Sequence, residues 1–250
     1  MIDDLSGWIL EDFDSAWNYI PRDSDKTEIN IGHNVEGAWM LLRNYLLTGH
    51  EDPLRIGQLL ADKIIRSGAF NKNNIWLSSS GRTNTSLHGA GTYWWIQAYG
   101  NMFSLCQYHI TNDKRFLDNF VKGATLWDNS FMDRVYGDTY FSTDSAGKVT
   151  DATKATRFKA SYHNIEQCFL NYLCLNLWVN NEPAELHFMI HSSHEGEVLY
   201  PVLIEDKSIK ISTFTGKNQN QMSFKTKDQG IFLPQLKACP LTVILTKRND

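Results

Sequence analysis

The chain has 250 residues, a formal net charge of −4 at pH 7 and 42% hydrophobic residues, which suits one large globular domain or one domain with a small appendage. Because it has no basic run and no long apolar stretch, the sequence predicts neither a nucleic-acid-binding protein nor a membrane protein. Its acidic first residues do not resemble a signal peptide, and its four cysteines form no C-x-x-C pattern, so we expect a cytoplasmic protein.

Five segments contain apolar residues that recur at helical spacing, which predicts five helices. Gly49 ends the first helix, and Pro53 suits the first turn of the second. A short polar turn at residues 111–113 separates the third helix from the fourth. The predicted helices span residues 34–48, about 53–67, about 94–111, 114 to about 128, and about 163–179.

The ends of two long helices repeat in the sequence. Residues 45–50 (YLLTGH) and 108–113 (YHITND) lie 63 residues apart, and each closes a helix before a second one begins. One helical hairpin cannot bury its apolar face alone, so repeated hairpins predict a toroid. We expect the more apolar helices, at 34–48, 94–111 and 163–179, to form the inner ring and their N-terminal loops to line one pocket.

The loops and the C-terminal part of the chain are predicted to contain β-strands. Residues 74–80 are a strand candidate, and 134–141 with 148–150 are predicted to form a hairpin. Beyond residue 185 the pattern predicts strands at 185–191, 198–204, 209–213, 222–225 and 241–246. We therefore expect a helical domain over residues 1–182 and a small all-β appendage over residues 183–250.

Three inner and two outer helices amount to about half of a closed ring of six hairpins. An open half would expose a broad apolar flank, which is unfavourable for a soluble monomer. We expect the rest of a longer protein, or a partner, to complete the ring.

Two histidines stand where predicted inner helices begin. His33 and Glu36 are three residues apart, so the carboxylate is expected to hold the far N–H of the imidazole. His163 opens the most apolar helix. Each histidine alone is more typical of a helix start or core than of a site. Together, at the same position of two inner helices, they predict a pair of acid/base groups that face one cavity.

Aromatic side chains lie close to both histidines in the sequence. Trp94 and Trp95 open the third helix, and one of them is expected to face the core and the other the pocket. Phe158, five residues before His163, is a second candidate surface for stacking a sugar. Each of these side chains is also typical of a hydrophobic core.

The sequence predicts no metal and no cofactor. It has no glycine-rich phosphate loop and no G-x-S-x-G elbow. Three further histidines lie in or beside predicted β-structure, where their spacing supplies no clean ligand set. They are His187, His191 and His194, the last followed by Glu195.

Four ordered segments resemble the N-acylglucosamine 2-epimerase and cellobiose 2-epimerase family. They are residues 10–14 (LEDFD) with Trp17, residues 32–36 (GHNVE) with 39–42 (WMLL), residues 94–98 (WWIQA), and residues 159–164 (KASYHN). The match covers about residues 8–178 and corresponds to roughly the C-terminal half of the family. The resemblance implies a mainly α fold, an (α/α)6 barrel, of which this chain carries about half, and the β appendage is not part of the family pattern.

The resemblance also implies a reaction and its residues. In this family one histidine removes the proton at C2 of an open-chain reducing sugar, and a second returns it to the opposite face, without a metal or cofactor. His33 and His163 match these two histidines, and Glu36 matches the glutamate that supports the first. The matching substrate-binding residues are Trp95, with Phe158, Trp39 and Tyr99 beside it.

This sequence departs from the family pattern at several positions. Tyr99 stands where the family has glutamate, Phe158 replaces tryptophan, and Glu166 replaces arginine. The family's first barrel half also carries a histidine and an arginine that face the sugar, and this chain has neither. Such groups stabilise a developing oxyanion, which is often the largest catalytic contribution.

Three alternatives to an epimerase remain open. An aldose–ketose isomerase shares the enediolate and differs only in where the proton returns. A glycoside hydrolase or lyase on the same barrel needs a pocket lined by carboxylates such as Asp12, Asp14 or Asp138. Otherwise Asp12 and Asp14, with Glu11, are expected to form a solvated turn beside Trp17. A sugar-binding protein without activity would bind the sugar and exchange no C2 proton.

Overall fold

A computed structural model describes residues 2, 7–20, 28–81, 89, 91–203, 207–217, 219–225 and 229–248. The chain divides into two compact units. Unit 1 comprises Met1–Tyr45 and His50–Asn171, and unit 2 comprises Leu46–Gly49 and Tyr172–Asp250. The proposed domain boundary at 182/183 stays a prediction.

All five predicted helices are present, and the first, fourth and fifth have different limits. The first begins at Ile31 rather than at residue 34, so His33 lies inside its first turn. The fourth and fifth end in π-turns, Trp127–Phe131 and Leu175–Asn180. Within the described residues, no helix has the length and apolarity needed to cross a membrane. The helices are α1 (Ile31–Thr48), α2 (Glu51–Ser67), α3 (Trp94–Thr111), α4 (Lys114–Leu126) and α5 (Tyr162–Cys174).

Local interactions explain where the helices end. Gly68 follows α2 with φ of +73°, and Asn112 follows α3 with φ of +53°, both in the left-handed conformation that closes a helix. The Asp113 side chain accepts a hydrogen bond of 2.9 Å from the backbone N–H of Arg115 and caps α4. These caps fix the tight α3–α4 turn that the sequence predicts.

Helix α3 is the central element of unit 1. Its residues 96–107 are all buried, so it is surrounded on every side. Gly123 of α4 lies against the Asn101 side chain, because a Cβ there would come within 2.4 Å of Asn101 Oδ1. Asn101 Nδ2 in turn donates to Gln167 Oε1 of α5 over 3.1 Å. Helix α3 therefore contacts both α4 and α5 through buried polar side chains.

The first helix packs closely against the start of α3. A Cβ on Gly32 would lie 2.4 Å from the Trp95 ring and 2.7 Å from Ile96, so only glycine allows this approach. In the second half of the helix, Trp39 packs against Tyr99 with ring centroids 5.3 Å apart. These contacts fix α1, and hence His33, relative to Trp95.

Two small antiparallel sheets lie in unit 1. The strand predicted at 74–80 is shorter, since only β2 (Ser79–Gly81) forms and pairs with β1 (Glu28–Asn30). The predicted hairpin lies further along the chain, where β4 (Ser142–Asp144) pairs with β5 (Val149–Asp151) and with β3 (Gly91–Tyr93).

The segment 134–141 is not a strand because Asp133 organises it as a turn. Asp133 Oδ1 accepts hydrogen bonds from the backbone N–H groups of Val135 and Tyr136, at 2.8 and 3.1 Å. Lys154 Nζ lies 2.5 Å from the other carboxylate oxygen. The hydrogen bond from Lys154 lowers the pKa of Asp133 to about 2. The aspartate thus remains charged and keeps its turn at ordinary pH.

Unit 2 contains two three-stranded antiparallel sheets around one core. The first has the order β6-β11-β8 and the second the order β7-β10-β9. Their core residues include Ile190, Ile231, Val243 and Leu245. The predicted strand 198–204 is shorter, and Ile204 lies outside the described residues. The strands are β6 (Ala184–Ser192), β7 (Glu197–Leu199), β8 (Ile209–Gly216), β9 (Ser223–Lys225), β10 (Gly230–Leu233) and β11 (Leu236–Lys247).

Gly100 in the middle of α3 tests the packing of unit 1. A Cβ at this position would lie 2.1 Å from the Trp76 ring, which is itself buried. We expect Gly100→Ala to lower the free energy of unfolding by about 1–3 kcal/mol, although alanine is intrinsically the better helix former by about 1 kcal/mol. Urea unfolding followed by tryptophan fluorescence measures this effect in unit 1, which holds every tryptophan except Trp178.

The control is Val121→Ala on the exposed side of α4. This substitution should change the free energy of unfolding by no more than about 0.5 kcal/mol. Equal effects of the two substitutions would contradict the close packing of α3 against Trp76.

Candidate active site

A cleft of about 740 Å³ opens in unit 1, where α1, α3 and α5 begin. Its volume lies within the usual range for small-molecule sites. Both predicted histidines, His33 and His163, line it, as do the carboxylates of Glu11, Glu28 and Glu36. Its aromatic lining consists of Tyr93, Trp94, Trp95, Phe141 and Phe158.

His33 is held from two sides in the first turn of α1. Its backbone N–H donates to Asn30 Oδ1 over 3.2 Å, and its Nδ1 lies 3.0 Å from Asn30 Nδ2. The same Nδ1 makes a short contact with a carboxylate oxygen of Glu11. A proton on Nδ1, shared with Glu11, leaves the lone pair of the imidazole on Nε2, where a base must have it.

A pair of hydrogen bonds brings Glu11 to His33. The backbone N–H of Ile9 donates to Asn34 Oδ1 over 2.8 Å, and Asn34 Nδ2 donates to the carbonyl of Ile9 over 3.2 Å. The buried Asn34 thereby ties the segment before Glu11 to the first turn of α1. The sequence places Glu11 in a solvated turn, so this carboxylate was missed as a site residue.

Glu36 does not hold His33 as predicted, and its expected pairing is wrong. Its charge acts instead on Tyr99 of α3, whose pKa is raised by burial and by this carboxylate. The reason is geometric, because the segment before α1 covers the His33 ring with Glu11 while Glu36, one turn later, faces α3. Glu36 still lines the cleft, and its charge acts on His163.

His163 lies in the first turn of α5 among aromatic rings. The ring centroids of Tyr162, Tyr99, Trp94 and Trp95 lie 5.1, 5.4, 6.0 and 6.4 Å from that of its imidazole. Its Nδ1 is buried and has no hydrogen-bond partner within the described part of the chain. Burial lowers the pKa of His163, although the charges of Glu36 and Glu166 act in the opposite direction. The imidazole is therefore mostly neutral near pH 7.

Trp95 contacts both histidines and connects them within one cleft. Its ring centroid lies 5.1 Å from that of His33 and 6.4 Å from that of His163. Trp94 is buried against Trp127 and Phe131, as expected for the core-facing member of the pair. Its ring also reaches the cleft wall.

The other predicted substrate-binding residues differ in position. Phe158 is 71% exposed at the cleft, with the Arg157 guanidinium 4.4 Å from its ring centroid. Trp39 and Tyr99 are buried behind the wall and do not line the cleft. The Tyr99 hydroxyl donates to Glu166 Oε2 over 3.3 Å, so two positions that depart from the family pattern contact each other.

A buried polar network behind His163 fixes the start of α5. The Lys159 side chain is fully buried, donates to the carbonyl of Lys154 over 2.7 Å, and lies 3.7 Å from Asp138 Oδ1. The same Asp138 oxygen accepts from Asn164 Nδ2 over 2.8 Å. Burial lowers the pKa of Lys159, and Asp138 opposes this shift. Nothing in the sequence singles out Lys159 beyond its place in the KASYHN segment.

The carboxylates expected of a hydrolase do not line the cleft. Asp14 forms a turn instead, where its side chain accepts hydrogen bonds from the backbone N–H groups of Ala16 and Asn18. Asp138 belongs to the Lys159 network, and Asp12 is also absent from the cleft lining. In the described ranges, no group of three or more His, Cys, Asp or Glu side chains is placed to hold a metal ion.

The sequence profile of the N-acylglucosamine 2-epimerase (GlcNAc 2-epimerase) family matches residues 1–167. The chain belongs to the N-acylglucosamine 2-epimerase family. A search of curated proteins finds no match. The family assignment confirms the resemblance carried by the GHNVE, WWIQA and KASYHN segments, which all lie inside the matched residues.

Solved structures of sugar epimerases and isomerases, which are (α/α)6 barrels, share this family member's fold. A D-mannose isomerase has a TM-score of 0.58 at 20% identity over 66% of this chain and 44% of its own. The cellobiose 2-epimerase of Spirochaeta thermophila DSM 6192 has a TM-score of 0.55 at 21% identity, over 65% of this chain and 40% of its own. A sugar epimerase from a ruminal bacterium has a TM-score of 0.53 at 18% identity, over 65% of this chain and 40% of its own. The chain thus spans about two fifths of their length.

Asp138→Asn tests the network that holds the start of α5. The amide keeps the shape and tolerates the positive φ of +61° at this position, but it removes the charge opposite the buried Lys159. We expect the free energy of unfolding of unit 1 to fall by about 2 kcal/mol in urea titrations.

Asp128→Asn is the matched control, because Asp128 pairs with Arg134 at the exposed surface. Loss of that pair should change the free energy of unfolding by less than about 1 kcal/mol. If both variants have the same stability, the Lys159 network does not hold α5.

Proposed function

We propose that this chain supplies the two acid/base histidines of a sugar 2-epimerase that acts on a small reducing sugar. The observation that carries the proposal is that His33 and His163, from the first turns of two different helices, line one cleft and both contact Trp95. Membership of the epimerase family supports the choice of reaction.

The reaction begins with the open-chain aldehyde form of the sugar. One imidazole takes the proton from C2, and the electrons of the C–H bond move to the carbonyl oxygen to form a cis-enediolate. Rotation about the C2–C3 bond presents the opposite face of C2 to the other imidazole. That group, as imidazolium, returns a proton to C2 while the aldehyde re-forms. The two histidines exchange roles when the reaction runs in reverse.

The environments of the two histidines fit these roles. Glu11 holds Nδ1 of His33 and stabilises its protonated form, as carboxylates do for catalytic imidazoles. His163, by contrast, is kept neutral by burial and can accept a proton. In one direction His163 therefore acts as the base and His33 as the acid.

A further helical half is proposed to complete the cleft, from a longer protein or from a partner. The chain spans about two fifths of the length of similar solved barrels. One face of α5 also carries exposed apolar side chains at three- and four-residue spacing, namely Tyr162, Ile165 and Phe169. An exposed row of apolar side chains of this kind is typical of a surface that packs against another helix. Residues 183–250 would then be a β-rich appendage to the half barrel.

An aldose–ketose isomerase is the second candidate function. A D-mannose isomerase is among the structures with this fold, and its reaction class shares the enediolate. The same histidines would then return the proton to C1, and the carbonyl group would form at C2. The position of isotope in the product separates the two reactions.

Solvent-deuterium incorporation into N-acetylmannosamine, mannose, glucose and cellobiose tests the proposal. We expect deuterium at C2 together with the new epimer. His33→Gln and His163→Gln should each lower the exchange rate at least about 100-fold, because each removes a positioned acid/base group. Circular dichroism should show an unchanged fold.

His187→Gln is the control, since this exposed histidine lies on a strand of unit 2 and should leave exchange unchanged. Deuterium at C1 with a ketose product would select the isomerase. Sugar binding without any exchange would mean a binding protein, and hydrolysis of a glycoside would mean a hydrolase. Normal exchange by either site variant would refute the two-histidine mechanism.

Trp95→Phe tests the wall between the histidines. The smaller ring loses contact area with the sugar, so we expect KM to rise about 5–10-fold, which corresponds to roughly 1 kcal/mol of aromatic packing. The rate constant kcat should fall less, because both imidazoles remain. Trp127→Phe, in the core outside the cleft, should leave KM unchanged. A KM that responds equally to both substitutions would show that Trp95 is a core residue only.

A further inference from the structure

Tyr99 and Tyr162 surround one carboxylate beside His163. The Tyr99 hydroxyl donates to Glu166 Oε2 over 3.3 Å, and the Tyr162 hydroxyl donates to Glu166 Oε1 over 3.0 Å. Each oxygen of this carboxylate therefore has its own hydroxyl donor. The two donors come from different helices, since Tyr99 lies in α3 and Tyr162 lies one turn before Glu166 in α5.

Tyr99 is suited to be a permanent donor. It is 1% exposed, and burial together with the charges of Glu36 and Glu166 raises its pKa far above the usual value. The hydroxyl therefore keeps its proton throughout the ordinary pH range. The charge of Glu36 of α1 also acts on this hydroxyl, whose single proton is donated to Glu166.

Without these donors Glu166 would be the natural partner of His163. The two residues are three apart on α5, a spacing that places side chains on the same side of a helix. Nδ1 of His163 is buried and lacks a partner among the residues that the structure describes. A carboxylate that turned to this nitrogen would stabilise the imidazolium.

We propose that Tyr99 and Tyr162 are positioning residues that keep His163 a neutral base by holding the Glu166 carboxylate away from its imidazole. The inference rests on the proposed role of His163 as a base. It also gives a function to Tyr99 that differs from the substrate contact expected from the sequence. His33 has a carboxylate at Nδ1, and among the described residues His163 has none. The hydroxyls of Tyr99 and Tyr162 therefore maintain this difference between the two histidines.

The other charged groups around His163 are accounted for. Glu36 of α1 lines the cleft, and its charge acts on both His163 and Tyr99. Lys159, before α5, lies on the Trp94 ring 5.5 Å from its centroid and is paired with Asp138. His33 reaches His163 only through Trp95. Glu166 is therefore the carboxylate that shares helix α5 with His163 and that the two tyrosine hydroxyls hold in place.

The test is an NMR titration of the full chain with isotope-labelled histidine and no sugar present. The His163 signal is assigned by its loss in His163→Gln. We expect Tyr162→Phe and Tyr99→Phe each to raise the pKa of His163 by about one unit, the size of effect that a newly adjacent carboxylate has. Tyr108→Phe, further along α3, is the matched control and should leave it unchanged.

A second substitution identifies the carboxylate. Glu166→Gln should lower the pKa of His163, and in that background Tyr162→Phe should have no further effect. Tyr162 is 60% exposed, so this cycle remains available if Tyr99→Phe fails to fold. An unchanged pKa of His163 in Tyr162→Phe would overturn the proposal, as would a rise that persists in the Glu166→Gln background.

Turnover gives an independent readout. In Tyr162→Phe, the acid limb of the pH profile of kcat/KM for C2 exchange should shift to higher pH. The shift should equal the rise in the pKa of His163 measured by NMR. If neither this chain nor the completed barrel shows exchange, the epimerase proposal fails, while the titration still decides whether the tyrosines control His163.

Discussion

The arrangement of the site depends on the close approach of α1 to the first turn of α3. Gly32 has no side chain, so the backbone of α1 lies directly on the Trp95 ring. The next residue in the chain is His33, which therefore stands beside Trp95 without any long-range adjustment. His163 of α5 contacts the rings of both Trp94 and Trp95. The aromatic pair Trp94 and Trp95 at the start of α3 thus determines where both imidazoles lie.

The two histidines have opposite electrostatic surroundings although they occupy equivalent places at helix starts. His33 is only half-buried and has a carboxylate at Nδ1, which favours its charged form. His163 is enclosed by rings and its Nδ1 has no partner in the described residues, which favours its neutral form. Two bases with such different environments are suited to a reaction in which one removes a proton while the other supplies one.

The helices could be predicted from the sequence, because apolar periodicity reflects the buried faces that hold them together. The limits of α3 agree with the pattern, and its complete burial explains why residues 96–107 are so poor in charge. The position of the hairpin near residue 140 could not be predicted in the same way. There the side chain of Asp133 bonds to the backbone and replaces strand pairing, which leaves no signal in hydrophobic alternation.

The candidate site was predictable in its histidines and less so in their partners. His33, His163 and Trp95 follow from helix starts and motif spacing, and all three line the cleft. Glu11 is 22 residues from His33, and its contact depends on Asn34 tying two segments together, which no local pattern reveals. Tyr99 and Glu166 likewise lie on different helices, so no local pattern reveals their contact.

The central claim is that the imidazoles of His33 and His163 both exchange a proton with C2 of one sugar. A crystal structure of the chain with a sugar alcohol, an uncyclised analogue of the open-chain substrate, tests this most directly. We expect the alcohol in the cleft beside Trp95, with C2 within about 3.5 Å of both the His33 and His163 rings. An alcohol whose C2 contacts only one of these imidazoles, or that binds outside the cleft, would contradict the account.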